Sequence, residues 1–224
     1  MDTLSKPELL FSFFLQRAKA HYGRGEIVFD SKSKNKQTFY IVDGYVKSYI
    51  ITNDGDYNIL TIYGPGFIFP LGPALRNDMG RSPYHLQDTV YFEAITDIEV
   101  HFARPEDLTL YCNENPVAYR EMLSVLVRNY ELFLSRVEGS LMKHAGQRIA
   151  HQLLVLCGSF AKKAYGQYII DVPLTHQDIS DSLGMARETV SREMEKLKKQ
   201  GVIDTKDRHV IILDIEKLRE IIES

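Results

Sequence analysis

Arg187, Glu188, Ser191 and Arg192 fall close together in LTHQDISDSLGMARETVSREMEKLKKQGVI, the stretch from Leu174 to Ile203. An arginine forks onto the O6 and N7 of guanine, and a carboxylate accepts a hydrogen bond from the N4 amine of cytosine. On a helix, Glu188 and Arg192 stand one turn apart and suit the two halves of one G·C pair. The same spacing also suits a plain surface Glu–Arg contact, worth about 0.2–0.5 kcal/mol.

The neighbouring residues set the element that would carry them. Val190, Met194 and Leu197 recur at three- and four-residue spacing, which turns Arg187, Glu188, Ser191, Arg192, Glu195 and Lys199 outward. The helix they imply starts near Arg187 and stops at Gly201. Upstream, Thr175 and Asp178 form a capping-box pattern for a shorter helix with Ile179 and Leu183 inside, and Gly184 supplies a tight corner. Two helices joined by a short glycine-containing turn make a helix-turn-helix, whose second helix enters the DNA major groove. After Gly201, VID and HVIILD flank TKDR, a two-stranded wing whose Lys206 and Arg208 can meet phosphates. From Thr175 to Arg208, seven Lys or Arg face seven Asp or Glu, so net charge gives no basic footprint. The order of helix, turn, helix and wing carries the reading instead.

Upstream lie two regions with different periods. From about Gly25 to Phe102, the segments EIVFD, QTFYIVDG, YVKSYIIT, YNILTIYG and TVYFEAIT are rich in Val, Ile, Tyr, Phe and Thr, with turn signals between them. That pattern predicts an antiparallel sandwich or barrel of jelly-roll type. Near Asn113 the period changes, with Asn115 as a cap and Pro116 in the first helical turn. Leu123, Val127, Tyr130, Leu134, Val137 and Leu141 then form a heptad seam. A second stripe of Tyr119, Met122, Leu126 and Phe133 lies beside it. Two apolar faces ask for two partners, the barrel and a second copy of the chain; one wide stripe inside a monomeric core is the plainer alternative. Gly139, Ser140 and Gly146 suggest a joint between 139 and 145, followed by a helix over QRIAHQLLVLCGSF and a short strand at YIIDVPL.

The composition is that of an ordinary globular chain: 224 residues, 44% hydrophobic, 25% charged, formal net charge −3. No apolar run approaches the roughly 18–20 residues of a membrane span, the N-terminus is a poor signal peptide, and only Cys112 and Cys157 carry thiols. A cytoplasmic setting with no membrane partner is expected.

At this point the sequence resembles the cyclic-AMP receptor protein / fumarate–nitrate regulator (CRP/FNR) family of bacterial transcription factors over nearly its whole length. GEIVFD, FYIVDGYVKSY, NDGDYNILTIYGPGFIF and EAITDIEV look like the family's barrel. NPVAYREMLSVLVRNYELFLSRVE looks like its dimerisation helix, and RETVSR is the most specific piece of its winged helix-turn-helix. The fold class implied is α+β. An N-terminal jelly-roll β-barrel, cupin-like and of the cyclic-nucleotide-binding type, occupies residues 1–112 with an N-terminal helix. A long dimerisation helix over 113–142 and a DNA-binding domain over 143–224 follow.

The resemblance assigns base contacts to Arg187, Glu188, Ser191 and Arg192, and phosphate contacts to Thr175, Gln177 and Thr189. His176 stands where many relatives carry arginine, and Ala186 where they carry Ser or Thr, which removes an N-cap. It implies a homodimer on palindromic double-stranded DNA with TGTGA- or TTGA-like half-sites, and RNA polymerase as a partner if the protein activates.

The barrel's effector is less specified. Relatives that bind cyclic nucleotides use a glutamate and an arginine followed by a small residue; here Leu71 replaces the glutamate, and Arg81-Ser82 is a lone match. A small effector other than a cyclic nucleotide is therefore expected, with no certain cofactor. Tyr63, Phe67, Phe69, Tyr84 and Phe92 either line a pocket for a mostly apolar ligand or are plain core. Two cysteines are too few for an iron–sulfur cluster, and His21, His85, His101 and Cys112 are haem-ligand candidates without a supporting pattern. The alternatives are a cupin-type metal enzyme and a winged-helix protein-interaction module. Seven histidines without an H-x-H pair or HExxH, and no nucleophile elbow or phosphate loop, argue against an enzyme.

Overall fold

The computed structural model describes residues 7–33, 36–72, 89–164 and 166–223. The chain divides into two units, Met1–Asp56 with Leu60–Tyr130, and Tyr57–Ile59 with Glu131–Ser224.

The first unit opens with helix α1 (Glu8–Leu15) and strands β1 (Ala18–Tyr22), β2 (Ile27–Asp30), β3 (Thr38–Asp43) and β4 (Val46–Ile51). Strands β5 (Tyr57–Tyr63), β6 (Ile68–Phe69), β7 (Val90–Ala94) and β8 (Ile98–Ala103) complete two four-stranded sheets, in the orders β1-β8-β3-β6 and β2-β7-β4-β5. Strand β8 lies antiparallel between β1 and β3, and β7 between β2 and β4, so neighbours in space are distant in sequence. That is the mixed helix and sheet fold expected from the sequence. Phe39, Phe69 and Phe92 form a stack at its centre, with ring centroids 5.4 and 5.1 Å apart.

Helix α2 (Pro105–Glu114) and the start of helix α3 (Pro116–Leu141) pack with α1 on a cluster that includes Phe14, Tyr40, Ile68, Leu108, Ala118 and Met122. The Glu121 carboxylate accepts from the Leu9 and Leu10 amides at 3.1 and 2.9 Å, neutralising orphan donors at the start of α1. Strands β1 and β8 and helix α2 were not delimited from sequence. AKAHY is too polar to stand out as a strand, because its exposed residues lie along a sheet edge.

Asn115 stands immediately before α3, its carbonyl accepting from the Tyr119 amide at 3.0 Å, while its side-chain amide donates back to the Tyr111 carbonyl at 2.8 Å. Of the second apolar stripe, only Met122 is buried; Tyr119, Leu126 and Phe133 are exposed, and the inward face is Ala118, Met122 and Val125. All six seam residues are exposed, from 40% at Val137 to 77% at Leu141. The helix runs through Gly139 without a break, so the joint is narrower than expected, between Leu141 and Ala145.

The second unit contains helix α4 (Ala145–Phe160), strands β9 (Ala161–Ala164) and β10 (Gln167–Ile170), helices α5 (His176–Leu183) and α6 (Arg187–Lys199), strands β11 (Ile203–Lys206) and β12 (His209–Ile212), and helix α7 (Ile215–Glu223). Its core joins Ile149, Leu153 and Leu156 of α4 to Val190, Met194 and Leu197 of α6. The wing is larger than two strands: β11 and β12 continue through β10 to β9 in one antiparallel sheet.

Candidate nucleic-acid interface

The entrance of α5 is fixed by Thr175, whose backbone is extended (φ −87°, ψ 163°). Its hydroxyl accepts from the Asp178 amide at 3.1 Å, while its own amide donates to the Asp178 carboxylate at 2.9 Å, completing the reciprocal cap. Gly184 ends the helix at φ +57°, a left-handed corner that costs a side-chain-bearing residue about 1–2 kcal/mol. The turn Gly184–Ala186 then directs α6 outward.

On α6 the three apolar residues are buried, while Arg187, Glu188 and Arg192 are exposed together. The sequence therefore places its candidate reading groups on one free surface. Among the described residues no ion pair joins Glu188 to Arg192; Arg192 lies 3.6 Å from Glu193, which also meets Lys196 at 3.8 Å. Ser191 is half-buried, and its hydroxyl lies 2.9 Å from His176 Nδ1, so these two side chains tie α5 to α6. Gln177 donates to Asp181 at 2.7 Å, and Thr189 is half-buried behind the first turn. Ala186 has cap geometry (φ −65°, ψ 136°) but no side chain to accept from the first turn.

Lys206 and Arg208 are exposed at the wing tip, where Asp207 and Arg208 take φ +50° and +67°. Two left-handed residues are what a two-residue antiparallel hairpin needs. The Arg208 carbonyl accepts from the Leu174 amide at 3.1 Å, which anchors the wing tip to the entrance of α5. A hollow of about 230 Å³ separates α5, α6 and the wing, with Thr175, His176, Lys206 and Arg208 among its lining residues. Lys198 meets Asp204 at 2.9 Å and holds that carboxyl below its ordinary range. The acids Asp178, Asp181, Glu193 and Asp204 are thus engaged by their neighbours, and Glu188 is left presented beside two arginines.

In the first unit, Phe67 and Phe69 are fully buried, and Tyr63 packs 5.9 and 5.6 Å from them. Burial raises the Tyr63 phenol above its ordinary value. Leu71 is buried in the apolar cluster under α1. Arg81, Ser82, Tyr84 and His85 lie outside the described residues. Cys112 is buried and its thiol is pushed up to about 11, which keeps it protonated and a poor metal ligand. His101 directs Nδ1 at the Arg17 carbonyl, 3.2 Å away. Among the described residues no group of three or more His, Cys, Asp or Glu is disposed to hold a metal ion, and no helix is long and apolar enough to cross a membrane. One barrel feature was missed: Arg128 of α3 sits 3.7 Å above the Phe67 ring, with desolvation lowering its pKa. Nothing in the sequence marks it off from any other helix-surface arginine.

Residues 147–221 match the model of the Crp-like helix-turn-helix domain. The "CRP-like cAMP-activated global transcriptional regulator" of Mycobacterium tuberculosis is 25% identical over 213 residues, covering 95% of this chain and 92% of that protein. The "Fumarate and nitrate reduction regulatory protein" of Escherichia coli K12 is 24% identical over 204 residues, covering 88% and 76%. Among solved structures, a CooA mutant from Carboxydothermus hydrogenoformans superposes with a TM-score of 0.75 at 19% identity, over 98% of this chain and 96% of that one. FixK2 from Bradyrhizobium japonicum gives 0.73 at 21%, over 91% and 96%. Below 25% identity these two speak to the fold alone. The chain thus carries a Crp-like helix-turn-helix domain at 147–221 and is similar along most of its length to transcription regulators of the CRP/FNR kind.

Proposed function

We propose that the protein is a homodimeric, sequence-specific DNA-binding regulator that places helix α6 of each copy in successive major grooves of a palindromic operator. The observation that carries this reading is the joint exposure of Arg187, Glu188 and Arg192 on α6, beside the Lys206 and Arg208 tip. Arg187, Glu188 and Arg192 read base edges, with Glu188 and Arg192 sharing a G·C pair. Ser191 joins them once its hydroxyl turns from His176, 2.9 Å away. Thr175, His176, Gln177, Thr189, Lys206 and Arg208 meet the phosphates and fix the register.

The bare seam Leu123, Val127, Tyr130, Leu134, Val137 and Leu141 asks for a second copy of the same helix. A two-fold pair sets the reading heads about 34 Å apart, so half-sites lie roughly one DNA turn apart. By family likeness each half-site is TGTGA- or TTGA-like. A small, mostly apolar effector other than a cyclic nucleotide sits by Tyr63, Phe67, Phe69 and Leu71, with Arg81, Ser82 and Tyr84 from the following segment. Its binding shifts the population of α3 and joint arrangements that set the two heads. The setting is the cytoplasm, with RNA polymerase as the further partner of an activator.

Selecting sites from random duplex DNA with the purified protein tests this. Recovery of a palindrome with a G·C pair in each half-site is expected; recovery of no common sequence, at low salt and with cell extract added, would overturn it.

A further inference from the structure

Wholly within the second unit, at the end of α3, lies a cavity of about 110 Å³. Its polar walls are Asn58, Arg136, Ser140, Arg148, His151, Gln152 and Ser182, and no Asp or Glu is among its lining residues. Each arginine uses a terminal nitrogen on a main-chain carbonyl, Arg136 on Ile59 and Arg148 on Leu183. One guanidinium donor is left over: Arg148 Nε is buried and has no hydrogen-bond partner among the described residues. Burial also lowers the pKa of Arg136. The Glu138 carboxylate lies 3.5 Å from His151 Nε2, with its side chain 71% exposed to solvent. His151 is held closely from the α3 side, since a Cβ on Gly139 would come within 2.9 Å of its Nδ1.

Two guanidiniums, an imidazole, two amides and the Ser182 hydroxyl around a small volume without a lining carboxylate are a donor set that suits a tetrahedral oxyanion, while the Ser140 hydroxyl donates to the Val137 carbonyl at 2.6 Å. Planar guanidinium forks suit phosphate geometry, and desolvated donors gain more from an anion than exposed ones do. The volume admits one phosphate-sized group. The Leu183 carbonyl, which would repel an anion, is already covered by Arg148.

We propose that this cavity is a binding site for a phosphate group, and that occupancy ties the last turn of α3 to α4 and to the α5–α6 corner. Ser140 belongs to α3, Arg148, His151 and Gln152 to α4, and Ser182 to α5, so one ion bridges three helices across the joint. The site does not depend on the DNA-binding reading, because it is measured on the free protein.

The test is calorimetric titration of the full-length protein with inorganic phosphate, and separately with glycerol phosphate, at constant ionic strength in chloride. Saturable binding of one phosphate per chain is expected, and hydrogen exchange over residues 139–148 should slow as the site fills. At about twentyfold above Kd the bound state should outweigh the free one about twentyfold. Binding of the inorganic ion assigns a free-ion site, and binding of the ester alone assigns a phosphomonoester. Arg136→Gln should weaken binding at least tenfold. Ser182→Asp, which breaks neither arginine's carbonyl bond, should abolish it by placing a carboxylate in the wall. Arg104→Gln, at the exposed start of α2, should leave it unchanged. Absence of saturable binding for both probes, or wild-type affinity in Ser182→Asp, would overturn the proposal.

Discussion

Replacing Ala186 with serine should stiffen the start of the recognition helix. Ala186 already has extended cap geometry, and its carbonyl accepts from the Thr189 and Val190 amides at 3.0 and 3.2 Å. Only the side-chain acceptor is missing, and the Glu188 amide at the second helical position is the donor it would serve. Gaining such a cap is worth about 1 kcal/mol, which corresponds to roughly a fivefold shift in a local closing equilibrium. Because Ala186 is exposed, the added hydroxyl displaces no packed neighbour. Ala186→Ser should therefore slow amide exchange at Glu188 about fivefold, leave the α4 core amides unchanged, and tighten DNA binding by no more than the same factor. Unchanged exchange at Glu188 and Thr189 would refute the reasoning, since it would mean that the first turn of α6 is held by something other than its cap.

At the wing, Arg208→Gly relieves a left-handed residue and removes a phosphate contact. Stability should rise by about 0.5–1 kcal/mol after allowing for glycine's added unfolded-state freedom, while the salt dependence of DNA binding falls by about 0.9 in log–log slope. A loss of affinity that is independent of salt would count against the phosphate role. Leu134→Glu places a charge in the exposed seam of α3 and should convert a dimer to monomer by sedimentation without lowering the monomer's helix content. A wild-type protein that is already monomeric would show that the seam is not an interface. Asp204 is held below its ordinary value of 3.8, first by the side-chain hydrogen bond from Lys198. Its contribution is thus present above that value and lost as pH falls through the lower folded value. Lys198→Met should flatten the acid limb of stability below about pH 4 in urea melts; an unchanged limb would show that the pair contributes nothing.

Much of the second unit was legible because its signals are local. Thr175 with Asp178, Gly184, and the spacing of Val190, Met194 and Leu197 each act within one or two helical turns, and each takes the expected place. The seam on α3 was legible for the same reason, as a repeat along one helix. What escaped depends on partners distant in sequence. Whether Tyr119 and Leu126 face inward is decided by the sheets and by α1 and α2, and periodicity alone cannot choose between two adjacent apolar stripes. The bond between His176 and Ser191 joins two helices across a turn, so a residue that reads as a free base contact turns out to be engaged. Arg128 over Phe67, and Arg136 and Arg148 around the cavity by the joint, look like ordinary helix-surface cations until the folded chain takes water away from them.

The most direct measurement titrates the selected operator and a copy with the G·C pair of each half-site inverted, using wild-type protein and Arg192→Ala at one salt concentration. Wild type should prefer the original by about 1–3 kcal/mol per half-site, roughly 5- to 150-fold, and Arg192→Ala should bind both duplexes alike. Equal binding of the two duplexes by wild type, or a preference that survives in Arg192→Ala and Glu188→Ala alike, would contradict direct reading of DNA by α6.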